Sequence, residues 1–205
     1  MKKLLVASGN DNKVMEIRSV LSETGMEKIL SLKDFGISLE VEENGITLEE
    51  NAVIKAKAVF KLMGIPVISD DTGLFVDALK GEPGVYSARY AGPEGSYQDN
   101  CDLLLSNMKH ADDKSPNAYF KCVICLMESA EDLKLFEGIC TGRISEIPRG
   151  KNGFGYDPVF IPSGYDKTFA ELEYDEKNKI SHRGIALMKL KDYLIDLNKK
   201  ETCTP

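Results

Sequence analysis

Apolar residues near the start of the chain recur with two different spacings, and each spacing predicts one type of element. A run of apolar residues at 4–7 predicts a short buried strand. Val14, Ile17 and Leu21 follow at the three- and four-residue spacing of a helix. At 37–41, apolar and polar residues alternate, which predicts a second strand that ends at a turn. The chain therefore begins with a strand, a loop, a helix and a further strand.

The next segment has the pattern of a capped amphipathic helix. Thr47 and Glu50 have the spacing of a capping box, in which each side chain bonds the backbone N–H of the other residue. A stripe of apolar residues at helical spacing follows until Gly64 ends the helix. The stripe consists of Leu48, Ala52, Val53, Ala56, Val59, Phe60 and Met63. Lys55 lies at its edge, where the stem can contact the core while the ammonium reaches into a cleft. The apolar residues at 65–69 then predict a strand.

The rest of the chain adds strands and helices in mixed order. In chain order the patterns predict a long ordered loop at 81–95, a helix at 97–109, an antiparallel pair of strands at 118–127 and 133–144, a strand at 159–161, a short helix after a capping box of Thr168 and Glu171, and a last helix capped by Ser181. We expect one domain over 1–198, with a core that can be drawn out into two lobes, and a polar tail over 199–205.

Composition and charge limit the functions that the chain can have. Its 205 residues carry a formal net charge of −7, which argues against nonspecific binding to nucleic acid or to an anionic membrane. A small anion can still bind a local cluster of basic residues. The apolar run at 4–7 is shorter than that of a signal peptide, and no apolar stretch is as long as a transmembrane helix. We therefore expect a cytoplasmic protein with no nucleic-acid or membrane partner.

The cysteines and histidines lack the spacing of a disulfide framework or a zinc site. The five cysteines are odd in number and scattered, at positions 101, 122, 125, 140 and 203. Cys122 and Cys125 lie three residues apart in a predicted strand, so their side chains point to opposite faces. Because His110 and His182 are the two histidines, we expect no structural zinc site.

The stretch SGNDNK at 8–13 is a candidate phosphate site. It lies between a predicted strand and the N-terminus of a predicted helix, where backbone N–H groups and the helix dipole favour an anion. Lys13 adds a full positive charge. The stretch matches neither the P-loop pattern nor G-x-G-x-x-G, and an ordinary turn rich in Asn and Asp explains the same residues.

A second candidate is the stretch SDDTG at 69–73, which places two carboxylates, Asp70 and Asp71, directly after an apolar run. A solvated turn is the alternative explanation, since Asp, Thr and Gly are common in turns. At a strand end, however, consecutive side chains point to opposite faces, so one carboxylate can face a cleft while a lysine or the backbone binds the other. Together with Glu42 or Glu43, such a carboxylate offers the hard oxygen ligands that suit Mg²⁺.

The stretch GFGYD at 153–157 is a candidate for recognition of a flat ligand. Its glycines allow the backbone to approach a ligand closely, and Phe154 can stack on a base. A tight turn with a buried Phe explains the same pattern.

The stretch EKNKISHRG contains an unusual charge placement. If Ser181 caps the last helix, His182 and Arg183 lie in its first turn, where the helix dipole disfavours cations by about 0.3–1 kcal/mol. Lys177 and Lys179 lie nearby and add to a cluster of donors in an acidic protein. Either these side chains are solvated or the donors serve a ligand.

Taken in chain order, five stretches together resemble one known family. They are SGNDNK, EENGITLEENAVIKA, SDDTGLFVDALKGEPGVYSARYAG, GFGYDPVFIP and EKNKISHRG. They resemble the inosine/xanthosine triphosphate pyrophosphatases, from about residue 4 to residue 197. The resemblance implies a homodimer that hydrolyses ITP, dITP and XTP to the nucleoside monophosphate and pyrophosphate with Mg²⁺, and so removes deaminated purine nucleotides. It also implies an elongated α/β fold whose mixed sheet, with flanking helices, spans two lobes with the active cleft between them.

The resemblance further implies roles for individual residues. Asp71 corresponds to the catalytic carboxylate and metal ligand, with Asp70 in support. Glu43 is favoured over Glu42 as the second metal ligand. The residues implied for phosphate binding are Ser8, Gly9, Asn10, Asp11, Asn12, Lys13 and Lys55. Those implied for the remainder of the substrate, chiefly the base, are Thr72, Phe154, Gly155, Tyr156, Asp157, Lys177, His182 and Arg183. Thr72 stands where many relatives have Ser, and the hydroxyl is retained.

Two other functions fit parts of the same pattern. A pyrophosphatase for modified pyrimidine or other nucleotides would retain the same phosphate and metal residues, so a panel of triphosphates is needed to distinguish it. A nucleotide sensor without chemistry would retain the phosphate loop, but the intact pair of Asp70 and Asp71 argues against it.

Overall fold

The computed structural model describes residues 3–39 and 41–202 of the chain. Its strands are β1 (Lys3–Val6), β2 (Lys28–Ser31), β3 (Val67–Val76), β4 (Pro83–Gly84), β5 (Asn117–Met127), β6 (Leu133–Ile144) and β7 (Phe160–Pro162). Its helices are α1 (Asp11–Leu21), α2 (Leu48–Met63), α3 (Tyr97–His110), α4 (Tyr174–Ile180) and α5 (His182–Thr202). Among the described residues, no helix is both long and apolar enough to cross a membrane.

The strands form a single mixed sheet. Its order is β2-β1-β3-β5-β6-β7, and β4 pairs with β3. β1 runs parallel to both β2 and β3, with Leu5 opposite Val67. β3 is antiparallel to β4, and β6 is antiparallel to β7, with Gly142 opposite Pro162. The predicted α/β class with a mixed sheet is therefore confirmed.

The chain divides into two compact units, and the first consists of Met1–Asp71, Cys122–Gly138 and Gly184–Pro205. Side chains from β1, β3, β5, α1 and α5 form its core. The buried members are Leu4, Val6, Val14, Ile17, Leu21, Ile68, Cys122, Ile124, Leu126, Ala186, Leu187, Leu190 and Leu194. The apolar positions predicted for α1, Val14, Ile17 and Leu21, are thus in the core, because burial of one helical face is what the spacing indicates.

The second unit consists of Thr72–Lys121 and Ile139–Arg183. Its core joins side chains of β3, β5, β6 and α3 with those of the loops around β7. The buried members are Leu74, Val76, Ala78, Cys101, Leu104, Ala118, Phe120, Cys140, Ile144, Tyr156, Val159, Phe160, Phe169 and Leu172. Aromatic side chains from three separate segments therefore meet in this core.

The strand predicted at 37–41 is wrong for the residues that the structure describes in this range, which are all except 40. Leu39 is exposed, so the alternation of apolar and polar residues there does not correspond to a buried face. The strand in this part of the chain is β2 instead, which pairs with β1 residue by residue from Lys28 to Ser31. The four residues of β2 are too few to show a clear alternation of apolar and polar positions. This strand is instead stabilised by backbone pairing with β1.

The strand predicted at 65–69 is longer than expected and runs from Val67 to Val76. Asp70 and Asp71 therefore lie inside β3 and not at its end. The reason lies in the residues that follow, because Leu74 and Val76 are fully buried and Leu74 pairs with Gly84 of β4. The two carboxylates are consequently on a rigid strand.

Two features lie near the C-terminus. The prediction that the last helix begins after Ser181 is confirmed, since α5 starts at His182. α5 continues to Thr202, past the predicted boundary at 198, whereas 203–205 lie outside the described residues. Helix α4 has no counterpart among the predicted elements, because its seven residues are mostly polar and carry no apolar stripe.

Candidate functional site

The stretch 8–13 links β1 to α1 and contains the cap of that helix. The side chain of Asn10 accepts hydrogen bonds from the backbone N–H of Asn12 at 3.0 Å and of Lys13 at 3.4 Å. The hydroxyl of Ser8 accepts the N–H of Asn10 at 3.2 Å. The Asp11 carboxylate is bound by Lys33, with a shortest distance of 2.6 Å. The loop thus has the predicted position at a helix N-terminus, and its binding of phosphate stays a prediction.

The ammonium group of Lys13 is bonded to a carboxylate of β3. Its Nζ atom lies 3.0 Å from Oδ2 of Asp70, whose side chain is almost completely buried. The main-chain carbonyl of Asp70 accepts a second bond, from Nζ of Lys55 at 2.9 Å. Asp70 therefore connects the two lysines that sequence analysis assigned to phosphate.

Lys55 lies at the centre of the acidic residues in this unit. Its Nζ atom is 2.9 Å from Oε1 of Glu43 and 3.9 Å from Oδ1 of Asp71. Burial alone would lower the pKa of Lys55, but the charges of Asp71, Asp70 and Glu43 together raise it above its ordinary value. The lysine is therefore a permanent cation, and it lies at the edge of the helical stripe as predicted.

Asp71 is the carboxylate with the most perturbed environment. Its residue is 8% exposed, and its Oδ2 atom has no hydrogen-bond partner among the described residues. Burial raises the pKa of Asp71 to about 6. The positive charges of Lys55 and Lys13 oppose this shift, whereas the negative charges of Glu43 and Asp70 add to it. A carboxylate with this pKa can exchange a proton near neutral pH, which is what a general base requires.

The loop that carries Glu43 is attached to the first turns of α2. The buried side chain of Asn51 accepts the backbone N–H of Gly45 at 2.8 Å, and Glu50 accepts that of Ile46 at 2.7 Å. A Cβ atom on Gly45 would lie 2.7 Å from the Asn51 amide oxygen, so the close approach requires glycine. Glu42 is exposed, whereas Glu43 contacts Lys55. This placement supports the choice of Glu43.

In the second unit, Asp157 bonds two of the other candidate residues. Its Oδ2 atom accepts the backbone N–H of Phe154 at 2.8 Å and lies 2.7 Å from Nζ of Lys177. A Cβ atom on Gly153 would lie 1.9 Å from the same oxygen, and the φ of +74° at this position also favours glycine. Asp157 and Lys177 are both buried. The carboxylate of Asp157 thus fixes the turn at 153–157 against α4.

Aromatic rings contact each of the buried cationic side chains of this unit. Nζ of Lys177 lies 5.0 Å from the ring centre of Phe154, and the guanidinium of Arg183 lies 5.4 Å from the same centre. Arg183 also donates a hydrogen bond to the hydroxyl of Thr72 at 3.2 Å. The ring of His182 stacks on Phe120. Five residues that the resemblance assigned to substrate therefore form one cluster, namely Thr72, Phe154, Asp157, Lys177 and Arg183.

The two remaining residues of the turn at 153–157 are bonded to the scaffold. The hydroxyl of Tyr156 donates to the carbonyl of Ser87 at 2.9 Å, and the thiol of Cys101 donates to the carbonyl of Gly155 at 3.5 Å. Tyr156 is buried, so its side chain contributes to the position of the turn. Sequence reasoning missed Ser87 and Cys101, because each bonds a segment that is distant in the chain. It also missed Asn51, whose side chain bonds the backbone of Gly45 in the preceding loop.

Comparison with known proteins identifies the family. The model of the Ham1 family matches residues 4–193. The chain belongs to the Ham1 family. The family resemblance noted from the five sequence stretches is thereby confirmed, because relatives named dITP/XTP pyrophosphatases also align over nearly the full chain.

Three similar proteins illustrate the degree of similarity. The dITP/XTP pyrophosphatase of Thermoanaerobacter pseudethanolicus is 48% identical over 193 residues, which cover 94% of this chain and 96% of that protein. The dITP/XTP pyrophosphatase of Bacillus subtilis is 47% identical over 194 residues, covering 95% of this chain and 98% of that protein. The structure of a HAM1 protein from Coxiella burnetii superimposes with a TM-score of 0.88 at 40% identity, covering 96% of this chain and 100% of that one.

Asp157→Asn is expected to destabilise the protein by about 3–5 kcal/mol, since the amide can still accept the Phe154 N–H but no longer neutralises the buried ammonium of Lys177. Urea unfolding monitored by circular dichroism measures the change. Asp132→Asn is the matched control, because Asp132 forms an exposed ion pair with Lys134 at 2.6 Å. The control should remain within about 1 kcal/mol of the unmodified protein. Equal effects of the two substitutions would contradict a special role for the buried pair.

Proposed function

We propose that this Ham1 protein hydrolyses dITP, ITP and XTP to the nucleoside monophosphate and pyrophosphate. Its relatives in Thermoanaerobacter pseudethanolicus and Bacillus subtilis are named dITP/XTP pyrophosphatases. The observation that carries the proposal is the buried Asp71 carboxylate, with one unbonded oxygen and with Lys55 and Lys13 around it. A base beside two cations suits attack of water on a polyphosphate. The reaction would remove deaminated purine nucleotides from the nucleotide pool.

Asp71 is the general base in this proposal. Water transfers a proton to Asp71 while its oxygen bonds to one phosphorus of the anhydride that links the α- and β-phosphates. The bond between that phosphorus and the bridging oxygen breaks, which yields the monophosphate and pyrophosphate. Lys13 and Lys55 offset the negative charge of the triphosphate, and Asp70 orients both of them through its carboxylate and its carbonyl.

We further propose Mg²⁺ as the cofactor, with Asp71 and Glu43 as its protein ligands. The residues fit this ion, because Oδ2 of Asp71 is buried without a hydrogen-bond partner and both ligands are hard carboxylate oxygens. Within the described part of the chain, no group of three or more His, Cys, Asp or Glu side chains could bind a metal. Mg²⁺ needs few protein ligands, since it retains waters and binds substrate phosphates. When bound, it would offset charge on the phosphate oxygens.

Recognition of the base is assigned to the cluster of the second unit. His182, Arg183 and Lys177 are donors, and hypoxanthine and xanthine carry a 6-keto oxygen where adenine carries an amine. Adenine would leave such donors without an acceptor, which is a costly mismatch in a buried site. Guanine also carries the 6-keto oxygen, so its rejection must depend on the 2-position.

A panel of triphosphates with Mg²⁺ tests this proposal. We expect ITP, dITP and XTP to have kcat/KM values at least about tenfold above those of ATP and GTP, with pyrophosphate as the co-product. Equal rates with ATP, or release of orthophosphate alone, would contradict it. Preferential hydrolysis of UTP or of modified pyrimidine triphosphates would instead support a pyrimidine enzyme.

The family resemblance supports a homodimer as part of the proposal. The net charge of −7 supports the absence of a nucleic-acid partner, and the sequence pattern supports a cytoplasmic location. Size-exclusion chromatography with light scattering measures the mass of the particle. A mass equal to one chain at micromolar concentration would contradict the dimer.

Activity is expected to fall as the pH is lowered through about 6, because protonated Asp71 cannot accept the proton of water. Below this pH, kcat/KM for ITP should drop about tenfold per pH unit. Because a metal binds the ionised carboxylate, a higher Mg²⁺ concentration should move the fall to lower pH. Initial rates at two Mg²⁺ concentrations across the pH range measure both effects, and a rate that stays constant down to about pH 4.5 would exclude Asp71 as the base.

A further inference from the structure

The imidazole of His182 lies flat against one aromatic side chain. The ring centres of His182 and Phe120 are 4.4 Å apart, and the two planes differ by 15°. Both residues are buried in the second unit, His182 at 4% exposure. Phe120 lies on β5, whereas His182 is the first residue of α5. A residue outside every stretch of the family resemblance therefore forms a parallel stack with a candidate base-recognition residue.

Two further rings fix the orientation of Phe120 itself. Phe160 meets it edge-on, with ring centres 4.7 Å apart and planes inclined by 63°. Phe169 lies 6.2 Å away at 24°, and it also contacts Phe160 at 5.1 Å. All three rings are buried in the core of this unit, where close packing restricts side-chain rotation. The plane of Phe120 is thus set by the core.

We propose that Phe120 is a positioning residue that sets the plane of the His182 imidazole, and thereby the discrimination between purine bases. The inference rests on the proposed function, since it assumes that His182 contacts the base. The ring nitrogens of an imidazole lie in the ring plane, so a parallel stack confines the directions in which they can donate or accept a hydrogen bond. Discrimination by hydrogen bonds requires donors with fixed directions, because a donor that can reorient can also find a partner on the wrong base.

Phe120 can be separated experimentally from the rest of the aromatic core. Phe169 is unsuitable as a control, because its ring also lies 5.8 Å from the ammonium of Lys177 and 6.4 Å from the ring of His182. Phe160, by contrast, contacts Phe120 and Phe169 and belongs to the same core. Phe120→Met and Phe160→Met therefore remove one ring each from the same cluster, at similar volume, and Phe120 is the one that forms the stack.

Proton NMR of the histidine rings measures the stack directly, because the chain has two histidines, His110 and His182. His110→Gln assigns the two sets of ring signals. Protons above an aromatic face are shifted upfield, so the His182 ring signals should lie upfield of those of His110. The upfield shift should be lost in Phe120→Met. It should be retained in Phe160→Met, because Phe120 keeps its contact with Phe169 and methionine fills much of the space of the removed ring. Retention of the shift in both variants would overturn the proposal.

Substrate discrimination provides the second measurement. The ratio of kcat/KM for ITP to that for ATP should fall about tenfold in Phe120→Met and should stay within about twofold of the unmodified protein in Phe160→Met. An unchanged ratio in Phe120→Met, or an equal loss in both variants, would overturn the proposal. If Phe120→Met does not fold, Phe120→Leu and Phe160→Leu repeat the comparison. If the unmodified protein does not hydrolyse ITP, the proposed function is overturned instead. The NMR measurement needs no hydrolysis of ITP, so it tests the stack independently of that function.

Discussion

Asp71→Asn is expected to reduce kcat for ITP by about 10²–10⁴-fold, the range typical of a lost general base. The amide has the shape of the carboxylate but cannot accept the proton of water. The fold should be retained, because Asp71 lies inside β3 and the substitution leaves the volume of the side chain nearly unchanged. Single-turnover hydrolysis and equilibrium binding of ITP separate chemistry from binding, and binding should persist in some form.

Two other aspartates serve as references for this experiment. Asp70→Asn removes the charge opposite Lys13 but leaves the carbonyl that accepts a bond from Lys55, so its effect on kcat should be smaller. Asp77→Asn changes an exposed residue at the end of the same strand and should leave kcat unchanged. If Asp70→Asn abolishes turnover while Asp71→Asn retains it, the roles of the two carboxylates must be exchanged.

The raised pKa of Asp71 also predicts how Asp71→Asn affects stability. Burial disfavours the ionised carboxylate in the folded protein, so the folded state holds its proton up to about pH 6, whereas the unfolded chain releases it at lower pH. The contribution of Asp71 to stability therefore decreases as the pH rises from about 4 to 6. Asp71→Asn abolishes this decrease, so its melting temperature relative to the unmodified protein should rise over the same interval.

The helices were largely predictable because their signals are local. Helix α2 has a capping residue, Thr47, that accepts the N–H of Glu50 at 3.1 Å, and a stripe of apolar residues that ends at Gly64. Cap chemistry and the helical period depend on residues within a few positions of one another. The strands were less predictable, because alternation at 37–41 does not specify burial, and β2 depends on pairing with β1.

The candidate site was predictable as a set of residues, but their contacts were not. The spacing placed Lys55 at the edge of a stripe, whereas its bonds to Glu43 and to the carbonyl of Asp70 depend on how a helix, a loop and a strand pack together. Arg183 and Thr72 are 111 residues apart in the chain. No sequence period relates such distant positions, so their contact follows from the fold alone.

Asp157 and Phe120 show two different limits of sequence reasoning. The family resemblance placed Asp157 among the residues that bind the base, and in the structure its carboxylate bonds Lys177 and the N–H of Phe154. The resemblance could indicate the position but not whether the side chain meets the ligand or its neighbours. Phe120 carried no signal, since an aromatic residue in a β-strand is also the ordinary pattern of a buried core.

Lys55→Met is expected to lower both activity and stability. Methionine fills the space of the lysine stem but carries no charge. The carboxylates of Glu43 and Asp71 therefore lose the ammonium beside them, and the carbonyl of Asp70 loses a hydrogen-bond donor. Lys55 is the largest influence that lowers the pKa of Asp71, so this pKa should rise above 6 in the variant and the acid limb of the pH profile should move to higher pH. We expect kcat/KM to fall about 10²–10³-fold, as for the loss of a charged group that stabilises a transition state.

Lys57→Met, an exposed position on the same helix, is the control for charge and helix propensity. An acid limb that stays near pH 6 in Lys55→Met would show that this lysine does not act through Asp71, because loss of its charge must raise the proton affinity of any carboxylate that it stabilises.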